Sequence, residues 1–154
     1  MSSIFETRLA ELGLALPAAA APAANYVPFL RDGSTLYVSG QISSGPDGLI
    51  LGKLGDTCSV EQGVQAAQFC ALSLLAQVRA ACGGDMGQLD QVVKLTGFVN
   101  SAPDFCDQPK VVNGASDLMV AVLGDAGRHT RSAVGAASLP FGVAVEIEGI
   151  FRLK

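Results

Sequence analysis

Charge is scarce in this 154-residue chain: Asp, Glu, Lys and Arg make up 16% of it, against 49% apolar residues. That is too little to cover a monomer in the usual mixed surface pattern, and it predicts a subunit interface. The ten Lys and Arg residues are scattered and outnumbered, leaving a net charge of −4. This argues against the clustered basic footprint that nucleic acid requires. Histidine occurs once, at His129, and Cys58, Cys70, Cys82 and Cys106 contain no C-x-x-C pair. No metal-ligand set assembles from such spacing, so neither a metal nor a cofactor is expected. Cys70 and Cys82 would lie about 18 Å apart on one helix, too far to bridge. All four cysteines read as reduced thiols, with Cys106 singled out only by a nearby helix start. No apolar run reaches membrane-spanning length, because Pro17 and Pro22 interrupt the richest, Leu14 to Ala24. Glu6 and Glu11 ahead of it make it a poor signal peptide, so a soluble, cytoplasmic protein is expected. Neither G-x-x-x-x-G-K-[ST] nor G-x-G-x-x-G occurs, and nucleotide binding gains no support.

What is present reads as one domain with an appendage. Ser3 and Glu6 form a capping-box pattern ahead of Phe5, Leu9 and Leu12, predicting a helix over about 4–13. Pro17 to Asn25 reads as an extended surface connector without chemistry of its own. Strand signals run over Tyr26 to Leu30 and Thr35 to Gln41 around the turn Arg31-Asp32-Gly33-Ser34, with a short third strand at Leu49 to Leu51. A helical stripe begins at Ser59, passes through Ala67, Ala71, Leu74 and Val78, and stops at Gly83-Gly84. Val92 to Val99 reads as a buried strand. A second long helix starts near Pro103 to Asp107, carries Val111, Leu118 and Val122, and ends at Gly124 to Gly127. Strands at Ser132 to Ala137 and Val143 to Leu153 complete the chain. This order is α+β, a mixed β-sheet with two helices packed on one face. In the last strand Val143, Val145, Ile147, Phe151 and Leu153 point to the helices, while Ala144, Glu146, Glu148, Ile150 and Arg152 point away. Carboxylates mixed with apolar groups on that second face predict a homo-oligomer with sites at its seams.

The chemistry-bearing residues concentrate in the last quarter. Arg131 opens a strand that reads as a neighbour of the acidic last strand, where its guanidinium can grip a planar carboxylate through two hydrogen bonds or pair with Glu146 or Glu148. Glu146 is placed to position a water or exchange a proton, or to serve as that ion-pair partner. His129 lacks a nucleophile or a carboxylate at diagnostic spacing and is not chosen.

Ser39-Gly40-Gln41, the stretch Val93 to Val99, Asn113, Arg131-Ser132-Ala133-Val134, Leu139-Pro140 and Val145-Glu146-Ile147-Glu148 together resemble the reactive-intermediate deaminase family, the YjgF or RidA group, long labelled endoribonuclease L-PSP or translation inhibitor. The likeness covers about residues 24 to 152, and the N-terminal helix and length resemble the longer branch with a YjgF/chorismate mutase-like fold. The division this implies is an accessory helix and Ala/Pro-rich connector over 1–23 and a YjgF/RidA-like domain over 24–154. The resemblance further implies a homotrimer with a central sheet barrel, helices outside, and a pocket at each subunit interface. In archetypal members an arginine binds the carboxylate of a 2-imino or enamino acid and a glutamate works with a water, giving a 2-oxo acid and ammonia. Arg131 and Glu146 match these two. Ser39 matches the strand serine, Tyr26 falls where an aromatic ring is common, and Asn113 aligns with one residue inserted before Arg131. Ala133 stands where cysteine is usual, keeping the backbone carbonyl but no thiol. The implied activity is hydrolytic deamination without a cofactor, on a small carboxylate-bearing metabolite. A trimeric 2-oxo acid binding protein without turnover is the alternative. The ribonuclease of older labels lacks a basic stripe, a histidine pair and interleaved aromatics here, and neither nucleic acid nor a membrane is an expected partner.

Overall fold

The computed structural model describes residues 3–22 and 24–154. Helix α1 spans Ile4–Glu11, and the reciprocal Ser3/Glu6 capping box that opens it satisfies two of its otherwise orphaned N–H groups. Its Phe5 and Leu9 are buried in the same apolar core as the rest of the chain.

Strands β1 (Phe29–Asp32) and β2 (Thr35–Ile42) form the expected hairpin across a turn in which Gly33 has φ +59°, a conformation glycine adopts without a Cβ penalty. β1 starts later than Tyr26 because Tyr26 to Pro28 runs alongside β2 without extending the ladder. Ser39 tethers it there, donating from N to Pro28 O and from Oγ to Val27 O. The expected third strand is instead a small separate ribbon of β3 (Ser44–Gly45) and β4 (Gly48–Leu49), and the chain beyond it runs beside the segment before the last strand, with Leu51 bridged to Val143 and Ile50 accepting from Ala144. Helix α2 (Val60–Ala81) opens on a Ser59/Gln62 capping box, followed by β5 (Leu89–Asn100), α3 (Gln108–Leu123), β6 (Thr130–Ala136) and β7 (Val145–Leu153). β7 begins at Val145 rather than Val143, because Ala144 is drawn off to bond Ile50 and is fully buried there, not on the open face.

The main sheet has the order β1-β2-β7-β5-β6; only β5 and β6 run parallel, so it is mixed. Helices α2 and α3 pack on each other and on one face of it. β7 alternates as the sequence pattern requires: Val145, Ile147, Phe151 and Leu153 are buried beneath the helices, while Glu146 and Ile150 are half-buried and Glu148 and Arg152 exposed on the other face. Leu30, Tyr37 and Val134 are also exposed. The helix side is tight. A Cβ on Gly114 of α3 would sit 2.2 Å from the Val64 carbonyl oxygen of α2, so glycine lets the two backbones touch.

Candidate functional site

Strand order separates the two residues that sequence spacing placed side by side. β6 and β7 are not neighbours, because β5 lies between them. Arg131 pairs in register with Leu95, which lies under the helices, whereas Glu146 pairs with Phe98 on the opposite side of the pleat. Three residues along and two strands across put their Cα atoms roughly 14 Å apart on opposite faces. Among the described residues Arg131 makes no ion pair with Glu146 or Glu148.

Instead, the candidates fall into two groups. Around Arg131, the edge strand β6 turns the side chain toward α3, where Nη1 donates to Asn113 Oδ1 at 2.8 Å and to Ser116 Oγ at 3.2 Å. Ala133, two residues on, is half-buried on the same side of β6 and packs against the core. The structure thus brings Asn113 and Arg131 together. It also adds Ser116, which sequence reasoning missed, and His129, which it weighed and set aside. Ser116 Oγ lies 2.9 Å from His129 Nε2, and His129 Nδ1 lies 2.6 Å from Gly127 O. A carbonyl only accepts and a guanidinium only donates, so Arg131 donates to Ser116 and His129 Nδ1 donates to Gly127, with Ser116 and His129 joined between them. Ser116 was findable: it stands three residues after Asn113 and so shares its helical face. The guanidinium is therefore held by neutral acceptors and keeps its charge for a ligand.

The second group gathers at the other end of the sheet. β1 pairs with β2 only as far as Val38, and beyond the tether at Ser39 that edge of β2 has no ladder partner; a bulge falls between Val38 and Gln41. A cavity of about 700 Å3 opens around this edge, and Tyr26, Ser39 and Glu146 all line it. Glu146 lies directly over Gly40, where a Cβ would meet its Oε1 at 2.3 Å. Burial first, and the negative charge of Glu148 second, push the Glu146 carboxyl above its usual range. The cavity's outer wall is the connector, including Leu16, Pro17 and Pro22, which its Ala/Pro composition did not signal.

No three His, Cys, Asp or Glu side chains gather into a metal-binding group among the described residues. Cys58, Cys70 and Cys82 are buried and Cys106 exposed, all free; burial pushes the Cys70 thiol far up, which suppresses its thiolate. No described helix is long and apolar enough to cross a membrane.

Comparison with known proteins assigns this arrangement. The family model "YjgF/chorismate mutase-like, putative endoribonuclease" matches residues 6–147. The chain belongs to this YjgF family. It is 49% identical over 148 residues to Protein TCP17 of Trypanosoma cruzi, covering 95% of this chain and 92% of that one. The crystal structure of Atu1372 from Agrobacterium tumefaciens, a protein of unknown function, superposes with a TM-score of 0.92 at 47% identity, covering 98% of this chain and 93% of its own. E. coli TdcF, solved with bound serine, matches at a TM-score of 0.57 and 26% identity over 89% of this chain and 92% of its own. The YjgF-family fold is thus an α+β fold with helices packed on one face of a mixed sheet.

Proposed function

We propose that this YjgF-family chain is a hydrolytic deaminase of 2-imino or enamino acids, working as a homotrimer in which Arg131 of one subunit and Glu146 of the next face one ligand. The observation that carries the reading is the state of Arg131: its guanidinium is oriented by Asn113 and Ser116 and has no carboxylate partner among the described residues. An oriented, unneutralised fork at a sheet edge suits a ligand carboxylate. The amino acid bound by TdcF supports a ligand of that class.

The chemistry then divides between the two groups. Arg131 anchors the carboxylate and so presents the adjacent imine carbon. Glu146, whose carboxyl is held above its usual range, takes a proton from water as the water oxygen bonds to that carbon, and returns it to the imine nitrogen. The hydroxyl of that adduct then gives its proton, through the same carboxylate, to the amino nitrogen as the carbon–nitrogen bond breaks, so that ammonia leaves and a 2-oxo acid remains. Ala133 contributes backbone in place of the usual thiol, which leaves this route intact because no step needs a sulfur nucleophile.

The test generates 2-imino acids in situ from amino acids and follows ammonia release. The wild-type protein accelerates release. Arg131→Ala weakens 2-oxo acid binding by about 30- to 1000-fold, and Glu146→Gln keeps binding while turnover falls by about 100-fold. A wild type that never accelerates release across a panel of imines, yet binds 2-oxo acids through Arg131, establishes instead the binding protein without turnover.

A further inference from the structure

The Glu146 cavity is shaped for more than a small 2-oxo acid. At about 700 Å3 it falls in the range of sites for drug-sized ligands, about 300–1,000 Å3. Its lining is mostly apolar. Ser39, Gln41 and Glu146 stand at the β2 edge, whereas Leu16 of the connector and Phe69 and Leu72 of α2, beside Ser73, form an apolar wall. This wall is fixed rather than loosely draped, because the buried Gln77 of α2 donates from Nε2 to Ala20 O of the connector at 2.8 Å. At the rim stands Phe141. It is the one non-glycine described with positive φ, at 58°, and its ring is 72% exposed. A bulky residue in the left-handed region is strained, and an exposed ring recovers little of that cost by packing within its own subunit.

We propose, on the functional reading above, that the substrate carries a large apolar, aromatic substituent that occupies this chamber, and that Phe141 is a specificity-determining residue stacking on it. The polar end then meets the reacting carbon beside Glu146, and the apolar end takes the side chain. Polar and apolar parts of one molecule match the two ends of one cavity. An aromatic substituent gains offset or edge-to-face contact with Phe69 and Phe141 in addition to area burial.

The experiment titrates the full chain with pyruvate and with 2-oxo-3-phenylpropanoate by calorimetry. The phenyl acid should bind about ten- to a hundredfold tighter, as burial of one phenyl group implies. Phe141→Gly should lower phenyl-acid affinity by about two- to tenfold and leave pyruvate unchanged. Its Tm should not fall, because glycine accepts the backbone angle without strain. Ser73→Leu, narrowing the chamber from α2 away from the polar end, should act in the same direction on the phenyl acid alone. Pyruvate binding as tightly as the phenyl acid overturns the inference and leaves the proposed function standing. A phenyl preference indifferent to both variants also overturns it, since the substituent then lodges elsewhere. Binding of neither acid overturns the proposed function and this inference with it.

Discussion

Gly40→Ala tests the placement of Glu146 without touching the carboxylate itself. The new methyl group would stand 2.3 Å from Glu146 Oε1, 3.1 Å from Cδ and 3.2 Å from Cγ. Relief needs Oε1 to retreat by about 1 Å, the difference between that contact and an ordinary van der Waals approach. The obstructed group is the free end of a flexible side chain beside a large cavity, so stability should change by no more than about 1 kcal/mol. Turnover should respond far more strongly. A misplacement of about 1 Å costs on the order of 100-fold, or roughly 2.7 kcal/mol of barrier. Gly114→Ala is the matched control, because there the methyl group meets the Val64 carbonyl oxygen at 2.2 Å and only separation of α2 from α3 relieves it, costing about 1–3 kcal/mol of stability. Urea midpoints and ammonia release, measured on both variants, separate the two effects. Wild-type turnover in Gly40→Ala would refute the role given to Glu146 where it lies. A loss of stability equal to that of Gly114→Ala would refute the claim that the side chain yields.

The raised carboxyl pKa of Glu146 has a definite sign: its folded value lies above its unfolded value, so this residue's contribution to stability falls as pH rises through that interval. The acid limb of kcat/KM should accordingly lie above the ordinary carboxylate range. Glu148→Gln, which removes the like charge, should move that limb to lower pH; an unmoved limb would mean another group titrates in it. Sedimentation equilibrium at micromolar concentration should give about three times the 15.7 kDa subunit mass. A stable monomer would remove the shared site.

The elements were legible because their patterns are long and periodic. The α2 stripe and the alternation of β7 each hold over more than two turns or pleats; burial follows β7 residue by residue, while α2 from Cys70 to Val78 is buried nearly all round. Arg131 and Glu146 were also legible as residues, being charges in segments otherwise built for a core. Their spatial relation was not. Adjacency in sequence suggested adjacent strands, whereas the parallel β5–β6 pairing inserts β5 between them, a topological fact no local pattern carries. The Ser116–His129 bond was hidden for a similar reason, since it joins a helix to the loop after it. The connector misled in another way: Ala and Pro have no periodicity to betray a buried side, yet Ala20 reaches Gln77 through its carbonyl, a group every residue shares.

On the proposed function, the sheet that stands between Arg131 and Glu146 makes association a condition of chemistry rather than an adornment of it. Within one protomer the two residues lie on opposite faces of the sheet and cannot meet the same small ligand. On the proposed assembly, damage is then counted by seam and not by subunit. A copy lacking Arg131 beside a copy lacking Glu146 leaves one shared seam doubly deficient or, in the opposite order around the ring, entirely whole.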